Sequence, residues 1–116
     1  MRFSFVLQKP VALVADIKEM FSQVVLAEKD RRYHRLLWKD LDATKSVEVY
    51  EAVRLEFGDR ASPYLAQFVV RSHAQDFIDK YPIAALVMIQ DMYMDDILHS
   101  EDSETDAILV REDLIN

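Results

Sequence analysis

The chain has no cysteine among its 116 residues, which excludes disulfides and thiolate metal sites and suits a reducing, intracellular and cytoplasmic setting. Basic residues are in deficit: 14 lysines and arginines stand against 21 acidic residues, a net charge of −7. That balance argues against a free-standing nucleic-acid binder driven by a strong positive field, and any nucleic-acid role would need metal ions or other basic segments to offset it. No apolar run is long enough to span a membrane. The start, "MRFSFVLQKP", is ended by Gln8, Lys9 and Pro10 without a cleavage-site pattern, so neither a signal peptide nor a membrane partner is expected. His34, His73 and His99 lack metal-ligand spacing and are read as structural or exposed. Glycine occurs once, at Gly58, in the turn "GDRASP", where the backbone needs a positive φ or a close approach.

What the chain does have is 51% hydrophobic residues, enough to bury one core and form one domain or a piece of one. "VALVAD", Val11 to Asp16, is a β-branched run that reads as a buried strand ending on a carboxylate. The apolar spacing of Ile17, Met20, Phe21, Val24 and Val25 predicts a helix over 17–32, entered directly after Asp16. Tyr33 to Asp40 and Ser46 to Phe57 read as two strands around "LDATK". Ser62 and Pro63 read as an N-cap and first-turn proline launching a helix to Tyr81, and Pro82 begins another. Ser103 with Asp106 resembles a capping box for a last helix, which runs to the end of the chain in mid-pattern, as a gene fragment would. Strand, helix, two strands, helices, hairpin and helix pack most simply as an α+β fold, an antiparallel sheet with helices on one face.

Asp95 and Asp96 lie in "MYMDDIL", a tight hairpin near residues 91–100. Alone, the pair is an ordinary polar turn. In such a sheet, however, the end of the first strand and the hairpin turn can be neighbours, which would bring Asp16 together with Asp95 and Asp96. Three carboxylates in one small volume need cations, and oxygen-only clusters suit magnesium or manganese. Two such ions, roughly 3.5 to 4 Å apart, stabilise the attacking and leaving oxygens of a phosphoryl displacement.

The segments "ADIKEMFSQV", "RLLWK", "FGDRASPYLAQ" and "MYMDD" together resemble the palm of a reverse transcriptase, most closely that of BEL/Pao-type long-terminal-repeat retrotransposons. Gly58 follows Asp16 by 42 residues and Asp95 follows it by 79, spacings compatible with that palm. The resemblance implies a ferredoxin-like polymerase palm over 1–116, with fingers incomplete and thumb and ribonuclease H domains absent. It implies RNA-directed DNA synthesis: Asp16, Asp95 and Asp96 as catalytic metal ligands with the Ile17 carbonyl, and Mg²⁺, or Mn²⁺ in its place, as cofactor. Phe21 matches the steric gate against a ribose 2′-hydroxyl. Gly58, with Ser62 and Pro63, matches the segment that approaches the incoming nucleotide and template; Phe57, also assigned to substrate binding, departs from the pattern, since many retroviral relatives carry there a glutamine that touches the nucleotide. Tyr93 and Met94 would lie under the primer terminus. Implied partners are an RNA or DNA template with primer, a deoxynucleotide and the remainder of a retrotransposon polyprotein. A decayed palm kept as a folded interaction module stays open, as do other palm enzymes such as an RNA-directed RNA polymerase or a nucleotide cyclase. The basic group Lys29, Arg31, Arg32, His34, Arg35 and Lys39 reads equally as a phosphate contact or a solvated surface.

Overall fold

The protein is described by a computed structural model covering residues 8–116, so most of the opening segment read above for signal and membrane features lies outside the described residues. Among the described residues, no helix is long and apolar enough to cross a membrane. The fold is α+β with antiparallel pairing throughout, as expected, but the strands divide between two sheets and the chain between two compact units, residues 1–18 with 67–116 and residues 19–66.

The first unit is a three-stranded sheet in the order β1–β5–β4, from β1 (Val11–Asp16), β4 (Met92–Tyr93) and β5 (Asp96–Glu101). Alternation places Leu13 and Ala15 of β1 on the same face as Ile97 of β5. On that face lie α4 (Pro82–Gln90) and α5 (Glu104–Ile115), so that Leu13, Val87, Ile97 and Val110 form a buried cluster against Ala15, Met88, Met92 and Leu114. Met88 and Met92 are therefore packing residues. Pro82 opens α4 in its first turn, where its missing N–H is not needed. Ser103 caps α5 as read, its Oγ accepting from the Asp106 N–H at 3.2 Å. The opposite sheet face carries Val14, Asp16, Tyr93 and Asp96, all exposed.

The second unit corrects the sequence reading in several places. The helix expected over 17–32 is two single turns, α1 (Met20–Gln23) and α2 (Glu28–Arg31), with Glu19 at φ +53 before the first. Between them the β-branched pair Val24–Val25 is extended. The Leu26 N–H donates to the Val53 carbonyl at 2.8 Å and the Leu55 N–H to the Val24 carbonyl at 3.1 Å, so pairing between distant segments outweighs local helix periodicity. That same pairing shortens the strands: β2 is Arg35–Trp38 and β3 is Glu48–Glu51, after which the chain turns to pair with Val25 instead. Trp38, expected in a core or platform, is half exposed, and its Nε1 donates to Asp40 at 2.6 Å.

Helix α3 (Ser62–Asp76) starts one residue earlier than read. The Asp59 carbonyl accepts from the Ser62 N–H at 3.1 Å, so Ser62 is already helical, and its buried Oγ finds no partner among the described residues. The helix also stops short of Tyr81, at Asp76, and 77–80 forms turns ahead of Pro82.

Candidate metal centre

Asp16 is the last residue of β1 and stands directly opposite Asp96, the first of β5. Asp96 in turn pairs with Tyr93 of β4, leaving Met94 and Asp95 as a two-residue loop. Such loops demand a positive φ, usually supplied by glycine or asparagine; here Met94 takes it, at +58°. A bulky residue in that conformation is strained, a cost of order 1 kcal/mol or more that collects at functional sites. The Ile17 N–H donates to the Asp95 carbonyl at 2.9 Å, tying the end of β1 to the tip of the hairpin. One carboxylate oxygen from each of Asp16, Asp95 and Asp96 then lies within 4.8 Å of the others, and all three side chains are exposed.

This donor set fits a hard divalent cation: three carboxylates, no thiolate and no imidazole, open to water that can complete an octahedral shell. Residues sought from the sequence fall into two groups. Asp16, Ile17, Asp95 and Asp96 come together, with Tyr93 half exposed beside them and Met94 at the turn, its Sδ 3.6 Å from the Gln67 amide nitrogen. In the other unit Phe21 is buried against Phe57, ring centroids 4.9 Å apart and tilted by 51°, while Phe57 itself is 79% exposed. Gly58 follows at φ +89 with no atom within 4 Å of an added Cβ, so the turn's conformation, not crowding, calls for glycine.

Much of the basic group is occupied locally. Arg35 pairs with Glu51 at 2.6 Å, His34 with Asp59 at 2.7 Å, Arg31 donates to the Leu26 carbonyl at 3.2 Å, and Arg32 stacks over Tyr33. These contacts favour the solvated-surface reading of that stretch.

One histidine does more than its spacing suggested. His99 Nδ1 lies 2.6 Å from Asp91 Oδ2 and its Nε2 2.8 Å from Glu101 Oε1. Lys9 extends the chain of contacts to Glu101 at 3.0 Å and Asp102 at 3.1 Å. His99, then Lys9, hold the Glu101 carboxyl below its ordinary range. The i, i+2 placement of His99 and Glu101 on one strand face was readable from alternation; Asp91 was not, because only the hairpin's closure brings it back to β5.

An antiparallel α+β sheet with one carboxylate ending a strand and two more in the adjoining tight hairpin is consistent with a polymerase palm. The sequence matches the reverse transcriptase (RNA-dependent DNA polymerase) family over residues 6–116, and the chain belongs to that family. By that resemblance it is an RNA-directed DNA polymerase, a class that generally uses divalent metal ions and that, in its full context, acts on template, primer and deoxynucleotide. No curated protein matches the chain significantly.

Proposed function

We propose that this chain is a partial palm from a BEL/Pao-type retrotransposon polyprotein and works inside the cell. Its role is nucleotidyl transfer from a deoxynucleotide to a primer 3′-hydroxyl. The observation that carries this reading is the convergence of Asp16, Asp95 and Asp96 within 4.8 Å on the open face of the sheet. Two magnesium ions held there would supply charge neutralisation at the attacking and leaving oxygens.

The protein's own contribution is position. Asp16 and Asp96 are set by the β1–β5 register, and Asp95 by the turn and the Ile17 N–H, an arrangement that would offer all three donors to an incoming ion. Tyr93 and Met94 would support the primer terminus. Phe21, braced by Phe57, is assigned the space that a ribose 2′-hydroxyl would need, which discriminates by exclusion. The Gly58 turn would let the backbone approach the nucleotide.

Titration with Mn²⁺, followed by paramagnetic broadening, tests the site directly. Asp95→Asn keeps the shape but removes a charged ligand, and a drop in affinity of at least about tenfold is expected. Template-directed extension of a primer by the parent, lost in the variant, would establish the chemistry. Equal binding by both proteins, or none by either, would instead favour a folded interaction module.

A further inference from the structure

The hairpin that presents Asp95 and Asp96 has little of its own to hold it. Strand β4 is two residues long and pairs with β5 only at Met92↔Ile97 and Tyr93↔Asp96, and Met94 is strained at its turn. A short two-stranded ribbon is marginal by itself, and a slip of one residue would send every side chain to the other face. Register therefore has to be fixed from outside the ribbon.

Asp91 immediately precedes β4. Its N–H closes α4 on the Val87 carbonyl at 2.8 Å, and its carbonyl accepts the Leu98 N–H at 3.1 Å, one rung beyond the ladder of the hairpin. Its carboxylate meets His99, whose other nitrogen meets Glu101. Glu101 is in turn bound by Lys9, two residues ahead of β1. His99 thus sits on the central strand, Asp91 leads into the strand on one side and Lys9 into the strand on the other. The His99 side chain is 16% exposed, so water competes little for these contacts.

We propose that His99 is a positioning residue for the acidic triad: steadied by Glu101 on its own strand, it holds Asp91 against β5 and so pins the register of β4, which sets where the hairpin tip carries Asp95 against Asp16 and Asp96. This inference rests on the reading of the triad as a cation site, and a ligand-free measurement separates the two. It assigns His99 no contact with substrate or cation.

Two readouts on the full chain test the proposal. In hydrogen exchange without metal, His99→Leu speeds exchange of the Leu98 N–H and of the Ile17 N–H that binds the Asp95 carbonyl, while the α5 amides keep the parent's rates. Unchanged rates at Leu98 and Ile17 would overturn the proposal whether or not the protein binds a cation. In the Mn²⁺ titration, His99→Leu weakens binding by about tenfold, the scale found when a partner that orients a ligand is removed. His99→Gln, whose amide can still donate to Asp91, recovers most of it. Equal weakening in both variants would mean that only the ring's bulk matters, against the proposal. If the parent itself binds no Mn²⁺, the cation reading fails, and the exchange rates alone decide whether His99 pins the hairpin.

Discussion

The two units of the chain spend similar sequence differently. In residues 1–18 with 67–116, two helices cover one sheet face and bury Leu13, Val87, Ile97 and Val110 in one cluster. In residues 19–66, buried positions such as Met20, Phe21, Leu26, Ala52 and Leu55 come from single turns and extended pieces, and all eight residues of β2 and β3 are exposed. Leu36, Leu37, Trp38, Val49 and Tyr50 are apolar and still face outward. Apolar content alone therefore does not make a core; a sheet face needs helices long enough to cover it. The acidic triad lies wholly within the helix-covered unit, where its strands are held by packing as well as by pairing.

The largest effect that would break this contrast is in the core. Ile97→Ala removes a buried side chain from the strand that carries Asp96, and should cost about 3 kcal/mol in urea unfolding. Leu37→Ala, in a strand residue 71% exposed, should stay within about 0.5 kcal/mol. Similar losses at the two sites would show that β2 and β3 are as well buried in solution as the first sheet, and the comparison would collapse.

How much of this was legible follows the same division. Asp16, Asp95 and Asp96 could be brought together from sequence because a β-branched run and a short hairpin are local signals, and antiparallel order leaves few ways to place them. The packed helices were legible from Pro82 and the Ser103 cap. The segment from Ile17 to Arg32 was misread because its apolar spacing suits a helix while Val24 and Val25 suit a strand; only Val53 and Leu55, nearly thirty residues on, decide the matter. The Phe21 and Phe57 contact depended on that long-range closure, and the His99–Asp91 contact on the closure of the hairpin.

Backbone strain gives a smaller and sharper test. Among the described residues, four of the five with positive φ, Glu19, Asp40, Leu41 and Gly58, fall in the second unit, and Met94 in the first. Gly58→Ala meets no atom but keeps φ +89, so strain alone should cost about 1 kcal/mol. Leu41 is fully exposed at φ +57, and Leu41→Asn should stabilise by roughly 0.5 kcal/mol, since asparagine tolerates that conformation. Opposite signs from the two substitutions in thermal unfolding would confirm that conformation, and not contact, governs these turns.

The smallest effect concerns acid. Glu101 has its carboxyl lowered from an ordinary value of 4.5, chiefly by His99 and then by Lys9. A carboxyl with a depressed folded pKa adds stability that is complete above the unfolded value and disappears as pH falls through the folded one. Glu101→Gln should therefore lower the unfolding midpoint at pH 6 to 7 by the equivalent of less than about 1 kcal/mol, and the gap should close as pH drops below about 4.5. In the second unit Asp40 and Asp42 are lowered too, by Lys45 and Thr44 respectively, but both stand in a solvated loop. Asp42→Asn should then leave the midpoint nearly unmoved at every pH. A pH-dependent loss at Asp42 as large as that at Glu101 would mean that the loop is as firmly held as the strand beside the triad.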